Sequence, residues 1–193
     1  METNFDYLLE KREYVGFAAQ AVEAEKSIEI SPATCAILSR RALELAVRFV
    51  YSYDAELSLP YRDNVSSLIH EPTFRRIIEP KLFPMLKYTI HLGNVAVHTN
   101  NNIRRDESII ALRDLFAFCD WIDYSYSKEY SEKVYDESVL ASGDEELTIR
   151  FKESIRIDNE VRKIKGLPIA GYDDETKRAY LEYPDGRREY VGK

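Results

Sequence analysis

The sequence predicts a mainly α-helical protein, a bundle of four to five main helices with a short C-terminal β-hairpin. Apolar residues recur at three- and four-residue spacing through most of the first 130 positions. Residues suited to helix starts, Ser31-Pro32 above all, stand just ahead of those periodic runs. Near the end, two short strand-like runs flank Pro184-Asp185-Gly186. A length of 193 residues suits one good core and an appendage.

The first helix is expected over 4–26, with Asn4 as cap and Phe5, Leu8, Leu9, Phe17, Ala21 and Ala24 as its apolar stripe. The second runs over 31–54. Ser31 can cap it, and Pro32 fits the first helical position, where its missing N–H costs nothing. Ile37, Leu38, Leu45, Phe49 and Val50 face the core, Ala42 and Ala46 allow close approach, and Arg40, Arg41, Glu44 and Arg48 form the polar side. A loop over 55–64 leads to short helices at 64–70 and 73–79, punctuated by Pro72, Pro80 and Pro84. A helix follows over 82–98, then a turn at Asn100–Asn102. Asp106 would cap an amphipathic helix reaching about residue 130, carrying Ile109, Ile110, Leu112, Leu115, Phe116, Phe118, Trp121 and Ile122. The helices at 31–54, 82–98 and 106–130 should make the core.

Composition shifts after residue 130. Ser142 and Glu145 have capping-box spacing, and the helix they would start, 144–165, has a narrow apolar seam (Leu147, Phe151, Ile155) among many charges. Gly166 and Pro168 stop it. A lone hairpin is marginal, so the sheet it needs is expected outside this chain. The expected organisation is a bundle over 1–130, a charged helical linker over 131–168, and a hairpin over 169–193 leading toward a downstream domain.

The helix at 82–98 is the most informative segment. It is apolar almost all round except for Lys87, His91, Asn94 and His98, spaced i, i+4, i+7 and i+11 and so within about 60° of one another. A polar stripe on an apolar helix must be hydrogen-bonded in a core or must meet a partner. Asn94 and His98 are the candidate catalytic pair, a histidine beside an asparagine suiting acid–base chemistry; the alternative is that both satisfy backbone groups of a neighbouring helix. His91 and His98 lie two turns apart, too far to share one metal ion, so no metal site is expected. No phosphate-binding glycine loop, H-E-x-x-H or C-x-x-C is present. Cys35 and Cys119 sit among apolar helical neighbours and read as core residues. The net charge of −7 disfavours non-specific binding to phosphate backbones. No run suits a membrane span, and the acidic N-terminus lacks signal-peptide pattern, so a cytoplasmic location without membrane contact is expected.

The segments 39–47 (Ser-Arg-Arg-Ala-Leu-Glu-Leu-Ala-Val), 59–63 (Leu-Pro-Tyr-Arg-Asp), 68–74 (Leu-Ile-His-Glu-Pro-Thr-Phe), 92–98 (Leu-Gly-Asn-Val-Ala-Val-His) and 111–121 (Ala-Leu-Arg-Asp-Leu-Phe-Ala-Phe-Cys-Asp-Trp) occur in this order. As a series over residues 4–130 they resemble the HEPN-like helical domain of unknown function at the N-terminus of type I restriction enzyme R subunits. The resemblance implies a parent protein whose later domains bind ATP and Mg²⁺, translocate DNA and cleave it. It implies no cofactor for this chain, and as partners the other restriction–modification subunits, DNA through the parent complex, and a second copy of the chain. HEPN ribonucleases place an arginine before the polar residue of their motif. Here Asn94 and His98 match the motif and Gly93 stands in the arginine's place, so ribonuclease activity would need Arg104 or Arg105 as substitute; Arg104 and Arg105 are also the candidate nucleic-acid or partner contacts. The expectation is therefore a non-catalytic module that positions subunits or DNA; the alternatives are a dimeric ribonuclease or a general protein-interaction module.

Overall fold

A computed structural model describes residues 3–99, 102–141, 162, 165–173 and 177–191. The chain divides into two compact units, Met1–Gly143 and Asp144–Lys193. The first is helical: α1 (Asp6–Leu9), a 3-10 turn (Arg12–Tyr14), α2 (Val15–Lys26), α3 (Pro32–Tyr53), α4 (Val65–His70), α5 (Pro72–Ile77), α6 (Leu82–His98), α7 (Arg105–Tyr126) and α8 (Ser138–Ala141). The second contains an antiparallel sheet of β1 (Ile169–Asp173), β2 (Arg178–Glu182) and β3 (Arg188–Val191).

α3 is the spine. Ser31 caps it, its hydroxyl accepting from the Thr34 N–H at 3.2 Å, and Pro32 opens it as expected. α2 runs back along it, with Phe17 and Tyr14 against Phe49 at 5.7 and 5.2 Å. α7 runs in the same direction as α3: Ser108 donates to the Pro32 carbonyl at one end, and the Tyr126 hydroxyl donates to Asp54 at the other. α6 runs opposite to both, its C-terminal part beside Ala36. Leu43, Val47, Leu86, Leu112, Leu115 and Phe118 are buried between these helices, so α2 joins the three expected core helices. Each such side chain contributes roughly 1.5–3 kcal/mol against chain entropy. Among the described residues no helix is long and apolar enough to cross a membrane.

The expected first helix is broken into three pieces. The backbone turns extended at Lys11, whose ammonium reaches across to α7, pairing with Asp123 and donating to the Ser127 hydroxyl and the Glu129 carbonyl. Asn4 does not cap α1. Its backbone N–H and side-chain amide instead donate to the buried Glu25 carboxylate at 2.7 and 2.5 Å, and its side-chain oxygen accepts the Asp136 N–H at 2.7 Å. Asp106 does not cap α7 either; the Glu107 carboxylate accepts the Arg104 N–H at 2.9 Å, and Asp106 lies in the first turn, where its charge suits the helix dipole.

The bundle does not end at residue 130. Leu140 is 4% exposed, Tyr135 packs edge-on against Phe116 at 5.5 Å, and Glu137 pairs with Arg113 at 2.6 Å, so 131–141 belong to the helical unit. The charged helix over 144–165 lies, apart from Arg162 and Lys165, outside the described residues, as do Asn100 and Asn101 of the expected turn. Gly166 takes φ +68°, and the Leu167 N–H closes onto the Arg162 carbonyl at 2.9 Å, the bond of a Schellman end.

The hairpin forms as β2 and β3 around Pro184-Asp185-Gly186, with the Tyr183 N–H bonded to the Arg187 carbonyl at 2.9 Å. The sheet it needs is supplied from within the chain, because β1 pairs with β2 in the register Gly171↔Tyr180. Strand β1, Ile-Ala-Gly-Tyr-Asp, was not anticipated, since a glycine and an alanine interrupt the strand pattern.

Candidate functional site

α6 carries no acidic residue and buries Leu82, Leu86, Thr89, Ile90, Leu92 and Gly93 against its neighbours. That buried arc leaves Lys87, His91, Asn94 and His98 on the opposite side. Lys87, His91 and His98 are exposed and Asn94 is half-buried. The four residues share a face as their spacing requires, but the face is solvated and is not the buried polar network that the apolar composition of α6 suggests. The reason is that α3 and α7 cover only part of the helix: even Val97 is 50% exposed. His91, Asn94 and His98 make no side-chain hydrogen bond with other described residues, so the expected anchoring of Asn94 and His98 is not seen among those residues; Asn100 and Asn101 of the adjoining turn lie outside them.

At the start of the same face, the Phe83 ring is covered by the Arg75 guanidinium at 3.4 Å, met edge-on by His70 at 5.1 Å and approached by the Lys87 ammonium at 5.7 Å. Arg75 and Lys87 thus set two cationic groups against one aromatic ring, an arrangement worth roughly 0.5–1 kcal/mol per pair at exposed positions.

Gly93 packs directly against α3. A Cβ there would lie 2.5 Å from Arg40 Cβ, 2.8 Å from Arg40 Cδ and 3.0 Å from the Ala36 carbonyl oxygen. Glycine is therefore required by packing, and no larger residue fits without moving α3. The aliphatic stem of Arg40 fills the space, and its Nε is buried without a hydrogen-bond partner. Arg40 is thus the arginine packed on Gly93, the residue before Asn94, a juxtaposition that no spacing in the sequence reveals because it joins two helices.

Arg104 and Arg105 do not serve the stripe. Arg104 lies 3.5 and 3.6 Å from the carboxylates of Asp106 and Glu107, and Arg105 Nε donates to Glu29 at 2.8 Å. Neither contacts Asn94 or His98 through any bond described. Cys35 and Cys119 are both free and fully buried, and burial pushes the Cys35 thiol up to about 12, which makes it unreactive near neutral pH. Among the described residues, no group of three His, Cys, Asp or Glu side chains converges as metal ligands would.

Against this geometry, one family comparison is positive: a domain of unknown function, DUF4145, matches residues 22–147. No curated protein and no solved structure matches the chain.

Proposed function

Because the chain belongs to the DUF4145 family, we propose that it is a non-catalytic helical module, HEPN-like in outline, of a type I restriction enzyme R subunit, and that it positions partner subunits or DNA for domains lying downstream. ATP and Mg²⁺ would belong to those domains. The observation that carries the non-catalytic part is Gly93 itself, which stands where the motif's arginine would and which packing against α3 keeps without a side chain. Phosphoryl chemistry needs donors aimed at developing charge, and a glycine supplies none. The ordered segments over 39–121 support the restriction-enzyme part. The test is twofold. The native reading frame is expected to continue past Lys193 into a nuclease and a P-loop translocase; a stop codon there would overturn the assignment to an R subunit. The purified chain is expected to leave single-stranded RNA intact with or without Mg²⁺.

A second reading is favoured by one contact. Arg40, from α3, lies on Gly93 and could supply in space the guanidinium that the motif lacks in sequence. It predicts metal-independent RNA cleavage by a dimer, lost in both Arg40→Ala and His98→Ala.

A further inference from the structure

The first unit contains a hollow that neither reading uses. Asp120, Trp121 and Tyr124 of α7, Tyr130 from the loop behind it, and Glu79 and Lys81 ahead of α6 enclose about 230 Å³. Trp121 is held in place, stacked on Phe118 at 5.6 Å and met edge-on by Tyr126 at 5.9 Å. Tyr124 and Tyr130 cross at 83° with centroids 5.2 Å apart. The Tyr130 hydroxyl donates to the two Asp120 oxygens at 3.3 and 3.2 Å, and the Lys133 backbone N–H also bonds this carboxylate. These donors orient Asp120 but bring no positive charge. The rim's own cation, Lys81, pairs with Glu79 at 2.8 Å and feels the Asp120 charge only from beyond ion-pair distance, and no described cation forms an ion pair with Asp120. Burial, with Asp123 and Glu132 nearby, holds the Asp120 carboxyl above the usual carboxylate range, as expected of a half-buried charge without a counter-ion.

A carboxylate with no ion pair among the described residues, set beside aromatic side chains, is the recognition chemistry of an organic cation: the carboxylate supplies charge and lone pairs, and aromatic rings attract cations through their quadrupoles. A volume of about 230 Å³ suits one such group. We propose that this hollow binds a single alkylammonium or guanidinium group, carried either by a free amine or by a lysine or arginine side chain of another protein. The site is separate from the α6 face, so the proposal does not depend on the restriction-enzyme reading.

Trp121 is the only tryptophan in the chain and lines the hollow, so its fluorescence reports occupancy directly. The probes are ethylguanidinium and n-butylammonium, with uncharged n-butanol as control, at constant ionic strength. A saturable change is expected with both cations and none with butanol. Asp120→Asn should weaken binding about tenfold, and Tyr124→Ala, which removes a ring already 67% exposed, a few-fold. Lys81→Gln, which removes a competing charge from the rim, should tighten it, an effect that a merely structural role would not produce. A capped Gly-Arg-Gly peptide binding at least about tenfold more tightly than ethylguanidinium would assign the site to a protein side chain, and equal affinity to a free amine. The proposal fails if butanol acts as the cations do, or if a folded Asp120→Asn variant responds like wild type. Should Asp120→Asn not fold, unchanged titrations of both Tyr124→Ala and Lys81→Gln overturn it.

Discussion

Asp114 lies on α7, is 8% exposed, and its carboxylate makes no hydrogen bond or ion pair with other described residues. Its sequence neighbour Arg113 pairs with Glu137 instead, at 2.6 Å. Burial pushes the Asp114 carboxyl from 3.8 up to about 6, opposed only weakly by Arg113. The sign follows from linkage. Between pH 4 and 6 the folded chain holds a proton that the unfolded chain has released, so this group's contribution to stability falls as pH rises, and its full cost, about 3 kcal/mol at 1.36 kcal/mol per pH unit, is reached near pH 7. At pH 4 the unfolded carboxyl is still partly protonated, so the change between pH 4 and 7 is about 2 kcal/mol. Asp114→Asn removes the titration while keeping the shape. The buried amide carries a cost of its own, but that cost is the same at both pH values and drops out of the comparison. Urea unfolding of wild type and variant at pH 4 and pH 7 should therefore give a stability difference that moves by about 2 kcal/mol in the variant's favour on going to pH 7. Parallel pH profiles for the two proteins would refute the reasoning and mean that the carboxylate is solvated or paired.

Gly93→Ala should destabilise by about 1–3 kcal/mol by forcing α6 off Arg40 and the Ala36 carbonyl, despite alanine's better helix propensity; a higher melting temperature would refute the packing argument. Lys11→Met leaves the Asp123 carboxylate, 2% exposed, without its cation, and should cost about 3 kcal/mol in urea unfolding at neutral pH, a loss under 1 kcal/mol counting against a buried pair. His98→Ala, at an exposed position with no side-chain bond to other described residues, should change stability by no more than about 0.5 kcal/mol in thermal melts.

Much of the helical unit was legible because its signals are local. Ser31-Pro32 and the periodicities of α3 and α6 depend on residues a turn or two apart, and the bounds of both helices follow from them. The break at Lys11 was not legible, because its cause is Asp123, over a hundred residues away. Asn4 misled for the same reason: an asparagine before an apolar run looks like a cap until Glu25 and Asp136 compete for it. The grouping of Lys87, His91, Asn94 and His98 on one face followed from helical geometry, but whether that face was covered depended on how α3 and α7 crossed α6. Arg40 beside Gly93, and the walls of the hollow around Asp120, come from separate segments and leave no spacing to read.

The bonds of Asn4 carry a consequence for where this fold begins. They fasten the extreme N-terminal segment at once to the end of α2 and to residue 136, so both margins of the helical unit meet at a single side chain. The family match starts only at Val22, downstream of Phe5, Leu8, Tyr14 and Phe17, all of them within the core. A chain trimmed to that match would lose the clasp and a wall of the core together, and the segment over 131–141 would loosen as one cooperative piece with the missing N-terminus. The stretch that the family match spans and the stretch that holds itself together are different lengths of chain, and the segment ahead of Val22 is what shuts the bundle.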